Sequence, residues 1–150
     1  MGAAVRPAAA GDVPAIAALE RECFSCPREA EEIGRSVGSF LIAEENGRFL
    51  GYIDCTSVLD EGYIGSVAVL PAERGRGVGE TLLRALMTAA AERLSFLTLE
   101  VRESNTPARS LYEKMGFSAV AVRKNHYEKP REDAILMTIY FTDKEGKNPC

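Results

Sequence analysis

Histidine is nearly absent from this chain of 150 residues, and His126 is its only one. A histidine-based nucleophilic triad or a multi-histidine metal site would depend entirely on that residue, so neither is expected and no metal is assigned. Cysteine is sparse as well, scattered as Cys23, Cys26, Cys55 and Cys150. The opening MGAAVRPAAAGD lacks the basic-then-apolar run of a secretory signal, which makes a reduced, cytoplasmic protein the expectation. Cys23 and Cys26 do form a C-x-x-C spacing, but no second ligand pair follows, so ordinary half-buried thiols are expected rather than a zinc or redox site. No apolar run approaches the length of a membrane span, and no membrane partner is expected. Positive charge is not in excess either: 18 Lys and Arg stand against 22 Asp and Glu, a net charge of −4. That balance argues against broad binding to nucleic acid, and any anion must be bound locally.

At 46% hydrophobic residues the chain has enough apolar side chain to bury a core, and its length fits one domain over residues 1–150. Val5 to Pro7 reads as a first strand. Gly11 and Asp12 then signal a helix start ahead of apolar Val13, Ile16, Ala17 and Leu19. Ile33 and Val37, four apart after Pro27, suggest a short second helix ended by Gly38. Phe40 to Ala43, Phe49 to Val58 and Tyr63 to Leu70 are rich in β-branched and aromatic residues and read as an antiparallel meander. They are separated by Glu45-Asn46-Gly47 and Asp60-Glu61-Gly62, and Asn46-Gly47 is the stronger turn signal because both residues tolerate positive φ.

From Gly77 the period changes. Val78, Leu82, Leu83, Leu86, Met87 and Ala90 fall at helical spacing, with most charges opposite them. Phe96 to Val101 is read as a strand, and Thr106-Pro107 as the start of a helix with a capping hydroxyl, closed by Gly116. Phe117 to Val122 and Ala134 to Phe141 read as a last strand pair flanking a polar loop from Arg123 to Asp133. The tail over residues 142–150 is polar and expected to fray. The order βααβββαβαββ suits an α/β (α+β) domain built on a mixed sheet with helices on both faces.

Arg74-Gly75-Arg76-Gly77-Val78-Gly79 lies between a predicted strand and a predicted helix. Glycines there let main-chain N–H groups approach a ligand closely, and a helix start adds unpaired donors and partial positive charge, which together suit a pyrophosphate. A nucleotide P-loop would need Lys-Ser/Thr where Glu80-Thr81 stands. A dinucleotide fingerprint has other glycine spacing and belongs near the start of its domain. A glycine-rich turn with solvated arginines is the remaining alternative.

Val67-Ala68-Val69 with Pro71, followed by Arg-Gly-Arg-Gly-Val-Gly into an amphipathic helix, resembles the acetyl-CoA motif of the GNAT N-acetyltransferase superfamily. Leu99-Glu100-Val101-Arg102 with Ser104-Asn105, Leu111-Tyr112-Glu113-Lys114-Met115-Gly116-Phe117, and Arg131-Glu132-Asp133-Ala134-Ile135-Leu136-Met137 resemble its RimI-type branch, the ribosomal-protein alanine N-acetyltransferases. The similarity runs through nearly the whole chain in order. It implies a mostly antiparallel sheet of about seven strands splayed between the fourth and fifth, flanked by about four helices. It also implies that acetyl-CoA is the co-substrate. Val67, Ala68 and Val69 would meet the pantetheine arm, Arg74, Gly75, Arg76, Gly77, Val78, Gly79 and Glu80 would hold the pyrophosphate, and Asn105 and Tyr112 would lie near the thioester.

Acyl transfer from a thioester to an amine needs a neutral nucleophile, stabilisation of an oxyanion and a proton for the leaving thiolate. Glu100 is a carboxylate inside an otherwise apolar strand, sharing a face with Phe96 and Thr98. The resemblance makes it the general base; a solvated charge, or an ion pair with Arg102 or another neighbour, is the alternative. Tyr112 would protonate the sulfur, although periodicity alone makes it a core aromatic. Tyr127, beside His126, is read either as a substrate-loop residue or as packing, and the resemblance adds Arg131 to the substrate side.

The implied acceptor is a protein N-terminus, the alanine-starting end of a small-subunit ribosomal protein. An α-amine of pKa about 7.7–8.0 is roughly a tenth uncharged at neutral pH, against under about a thousandth for lysine at about 10.4, which suits a carboxylate base. Transfer to a lysine or a small amine, and a non-catalytic acetyl-CoA-binding module, are the alternatives. A monomer is expected. The chain departs from the branch on the implied acceptor side, where Arg28 follows Pro27 in place of the usual tryptophan, Ser66 stands for a frequent asparagine and Gly65 for a larger apolar residue.

Overall fold

Alternating and helical hydrophobic patterns alone account for most element positions in the computed structural model, which describes residues 2–141. In chain order the elements are β1 (Ala4–Pro7), α1 (Val13–Cys23), α2 (Ala30–Arg35), β2 (Phe40–Glu45), β3 (Arg48–Val58), β4 (Glu61–Val69), α3 (Val78–Ala90), β5 (Phe96–Arg102), α4 (Thr106–Lys114), β6 (Ser118–Tyr127) and β7 (Glu132–Tyr140). The strands form one seven-stranded sheet in the order β1-β2-β3-β4-β5-β7-β6. The pairing of β4 with β5 is parallel and aligns Glu61–Tyr63 with Phe96–Thr98, whereas β1 with β2, β2 with β3, β5 with β7 and β6 with β7 are antiparallel. This is the mixed α/β architecture, with four α-helices among the described residues, that the motif order implies. No helix among those residues is long and apolar enough to cross a membrane.

The chain divides into two compact units, one taking residues up to Cys55 with Ser66–Met87, the other Thr56–Gly65 with the residues from Thr88 on. In the first, α1 turns Ile16, Ala17 and Leu19 inward against Ile33, Phe40, Ile42, Tyr52 and Ala68. Gly51 of β3 permits a close main-chain approach there, because a Cβ at that position would strike the Ala68 carbonyl oxygen and lie 3.0 Å from Val69 Cα. The β2–β3 hairpin turns at Asn46 and Gly47, with φ of 53° and 77°, as the Asn-Gly pair predicts. In the second unit Leu97, Leu99 and Val101 form the buried face of β5, with Met137 and Ile135 of β7 paired beside Leu99 and Val101, and Tyr112, Phe117 and Ala134 are buried as well.

Four boundaries differ from the sequence expectation. The residues from Val37 to Ser39 form a separate 3-10 turn, so the second helix ends at Arg35. The turn before β4 is Leu59-Asp60, with Leu59 at φ 56°. Gly62 belongs to the strand, where a Cβ would come within 2.7 Å of the Leu94 and Leu97 side chains. The cap of α4 is Asn105, whose Oδ1 accepts a hydrogen bond from the Ala108 N–H at 3.3 Å, rather than Thr106. Finally, Arg123–Tyr127 continue β6, leaving only residues 128–131 as the connection to β7. As the last strand in the sheet order, β6 pairs on one side only, and residues 118–126 are all exposed, so burial does not oppose charged side chains there. The tail expected to fray, with Cys150, lies outside the described residues.

Candidate active site

The glycine segment and the acidic strand fall in different units, and each forms a defined arrangement of its own. In the first unit β4 delivers Val67, Ala68 and Val69; Ala68 is buried in the core, and Val67 and Val69 are half-buried. Leu70 N–H then donates to Leu50 O at 2.9 Å, and a 3-10 turn over Pro71–Glu73 carries the chain away from the sheet. Gly75 and Gly77 adopt φ of 83° and 82°, where a side chain would be strained, and a Cβ at either would meet open space. The first helical hydrogen bond of α3 runs from Thr81 N–H to Gly77 O at 3.0 Å, so the amides of Val78, Gly79 and Glu80 precede the helical ladder. Together these features fit a diphosphate, which needs main-chain donors, close approach and the positive end of a helix.

The charged side chains of this loop are turned to other uses. Arg74 Nε donates to Val69 O at 3.1 Å and its Nη2 to Cys23 Sγ at 3.2 Å. Arg76 bonds Glu73, and its Nη2 donates to Glu45 Oε1 at 3.0 Å, so the arginines are not free in solvent as the plain-turn alternative requires. Glu80 pairs with Arg84 one helical turn on, at 2.6 Å.

In the second unit Glu100 occupies the half-buried face of β5 with Phe96 and Thr98, the alternation its strand predicts. Its Oε2 is buried and accepts no hydrogen bond. Two cationic or potentially cationic groups approach it: Arg123 Nε at 3.0 Å and His126 Nε2 at 3.5 Å, both from β6. Arg102, the other candidate partner, instead pairs with Glu132 at 3.4 Å and lies over the Tyr127 ring at 4.4 Å. A carboxylate oxygen with charge partners but no hydrogen bond keeps a lone pair for a proton.

Tyr112 projects from α4 and is buried, its ring 5.8 Å from Phe117. Burial, reinforced by Tyr127, pushes its phenol up to about 12. Tyr127 is half-buried and also raised, first by burial and then by the Glu100 carboxylate. Tyr127 therefore lies within electrostatic reach of Glu100 on one side and of Tyr112 on the other. Asn105 is spent as the cap of α4, and Arg131 is exposed in the β6–β7 connection. Among the described residues no group of His, Cys, Asp and Glu side chains could hold a metal ion.

Sequence reasoning missed one polar cluster in the first unit. Arg28 Nη2 lies 2.8 Å from Glu20 Oε2, 3.1 Å from Asp54 Oδ1 and 2.8 Å from Ser66 Oγ, and its guanidinium covers the Phe40 ring at 5.2 Å. Its main-chain N–H also donates to Glu20 Oε1 at 2.9 Å, and Tyr52 donates to Glu20. Glu20 and Asp54 are only 2% and 3% exposed. Burial alone would raise Glu20, but hydrogen bonds from Arg28 and Tyr52 outweigh it and hold the carboxyl below its ordinary range. The available signal was a glutamate on the apolar face of α1 and an aspartate inside the apolar strand β3.

Residues 13–117 match the Acetyltransferase (GNAT) family. The [ribosomal protein bS18]-alanine N-acetyltransferase of Haemophilus influenzae is 46% identical over 101 residues, covering 65% of this chain and 68% of that protein. The enzyme of the same name from Escherichia coli is 32% identical over 134 residues, covering 85% of this chain and 90% of its own. The crystal structure of the Escherichia coli ribosomal-protein-S18-alanine N-acetyltransferase superposes with a TM-score of 0.86 at 30% identity, covering 93% of this chain and 94% of that one.

Proposed function

We propose, for a chain that belongs to the acetyltransferase (GNAT) family, in its RimI-type branch, and is accordingly an acetyl-CoA-dependent N-acetyltransferase, that its acceptor is the N-terminal alanine of ribosomal protein S18. The observation that carries the acceptor is the continuous similarity to the Escherichia coli enzyme of that name, which extends over 85% of this chain and takes in both arrangements described above. The whole chain is read as one catalytic domain working as a monomer in the cytoplasm.

In this reading the backbone at Val67, Ala68 and Val69 pairs with the pantetheine arm. The amides between Gly75 and Glu80 take the diphosphate, with Gly77, Val78 and Gly79 at the helix start. Arg74 and Arg76 shape the loop rather than contact the phosphates through their guanidinium groups. The bound donor supplies an activated thioester carbonyl.

Glu100 removes a proton from the acceptor ammonium, directly or through water, so that the neutral amine attacks. Tyr112 holds a proton for the departing sulfur; its raised phenol keeps that proton through the physiological range. Tyr127, stacked under Arg102, and Arg131 border the acceptor, while Asn105 acts by holding the start of α4. The acceptor's low α-amine pKa, about 7.7–8.0, leaves Glu100 less work than a lysine would.

The Arg28 cluster favours one variation on this reading. A guanidinium tied to Glu20, Asp54 and Ser66 stands where the branch usually carries tryptophan, which points to a different preference at the residues after the acceptor alanine. Acetylation of a peptide with the S18 N-terminal sequence, followed by mass spectrometry, tests the acceptor. The acetyl group is expected on the α-amine, with no transfer to the same peptide blocked at its N-terminus and carrying a free lysine. Transfer to the lysine peptide alone contradicts the reading.

A further inference from the structure

The glycine loop is held by a ring of four charges, of which the catalytic reading uses only Arg76. Glu73, the last residue of the 3-10 turn, is 7% exposed. Its Oε2 accepts from Arg48 Nη1, on β3, at 2.7 Å, and its Oε1 accepts from Arg76, which lies between the two positive-φ glycines. Arg76 Nη2 reaches on to Glu45 Oε1, at the end of β2, at 3.0 Å, and Arg48 Nη2 lies 4.0 Å from the same oxygen. Two arginines and two glutamates thus close on themselves around the β2–β3 hairpin and the loop, with no net charge.

The geometry matters for what the loop can offer. Gly75 and Gly77 have no side chains to anchor them, and glycine costs more entropy to order than any other residue. Arg76, between them, is held at its tip by two carboxylates, which tethers its backbone to β2 and to the 3-10 turn and limits how far the loop can shift with the ion pairs intact. The ring also turns the Arg76 side chain to the protein, leaving main chain and open space at both glycines. Arg48 first, then Arg76, hold the Glu73 carboxyl below its ordinary range, so the ring stays charged throughout neutral pH.

We infer that Glu73, with Glu45 and Arg48, is a positioning residue for acetyl-CoA: the ring presets the loop amides for the donor's diphosphate and touches neither the thioester nor the acceptor. This rests on the proposed reading of residues 75–80 as the diphosphate site. Its signature is selective for the part of the donor that the loop grips, since preorganisation lowers the cost of binding that group alone.

The test compares acetyl-CoA with S-acetylpantetheine, which has the same thioester and arm but no diphosphate, in steady-state kinetics with an alanine-initiated peptide. Glu73→Gln is expected to raise KM for acetyl-CoA about tenfold while kcat, and KM for S-acetylpantetheine, change less than about twofold. Arg48→Gln, acting from the far side of the ring, should reproduce the effect if Glu73→Gln folds poorly. The exchange Arg48→Glu with Glu73→Arg should not restore it, because an arginine at 73 would face Arg76, whereas a simple pairwise role for Arg48 and Glu73 would let it. An unchanged KM for acetyl-CoA, or an equal loss with both donors, overturns the inference. Should the unsubstituted protein use the two donors with equal KM, the diphosphate reading of the loop fails, and the inference falls with it for that separate reason.

Discussion

Replacing Arg28 by methionine keeps an apolar stem over Phe40 and removes the only cation facing Glu20 and Asp54 among the contacts described. Two carboxylates at 2% and 3% exposure would then be left without their counter-charge. Breaking a buried ion pair from one side costs about 3–5 kcal/mol, and because the Arg28 side chain keeps 27% exposure the low end applies, about 3 kcal/mol. For a chain of this size that corresponds to a fall in Tm of about 6–12 °C.

The pH dependence identifies the cause. In the unsubstituted protein Glu20 is held below its ordinary value of 4.5, so its contribution is present above that value and lost as pH falls through the folded pKa. Without Arg28, burial dominates and the folded pKa rises above the unfolded one, so the variant gains relative stability as the carboxylate protonates. The deficit should therefore be largest near about pH 7.5 and clearly smaller near about pH 5. Urea denaturation of both proteins at the two pH values measures it. A deficit under about 1 kcal/mol at neutral pH, or one of equal size at both, would refute the argument.

Three further substitutions have defined outcomes. Gly51→Ala forces a Cβ against the Ala68 carbonyl oxygen, a backbone atom that cannot yield, whereas at Gly62→Ala the nearest atoms are the movable ends of Leu94 and Leu97, with the Phe96 carbonyl oxygen farther off at 3.3 Å; denaturant midpoints should show a loss of about 3 kcal/mol for the first and about 1–2 kcal/mol for the second, and the reverse order would contradict this packing. Tyr112→Phe should lower kcat about 100-fold with KM for acetyl-CoA unchanged. Because the phenol is pushed up to about 12, the pH profile of the unsubstituted enzyme should show no alkaline limb assignable to Tyr112 below about pH 10; a limb there that vanishes in the variant would contradict the buried setting.

Much of this was legible in the sequence because it depends on local order. Asn46-Gly47 specifies its hairpin through two positive φ values, α3 follows from apolar spacing, and Glu100 stands out as a charge inside an alternating strand. The glycine loop was likewise visible as a strand-to-helix connection. What escaped depends on neighbours distant along the chain. Arg28 finds Asp54 and Ser66 26 and 38 residues away, and no periodicity encodes that meeting. Arg123 and His126 read as loop because their charges resemble a solvated turn, yet an edge strand with exposed faces carries them without cost and brings them to Glu100. Gly62 read as a turn because glycine marks turns, whereas here it makes room for two leucines.

The most direct measurement of the catalytic assignment is transfer to an alanine-initiated peptide by Glu100→Gln protein, with coenzyme A binding measured in the same preparation by calorimetry. The account predicts transfer reduced by at least about 100-fold while affinity for coenzyme A is unchanged. Transfer at the rate of the unsubstituted protein would contradict it.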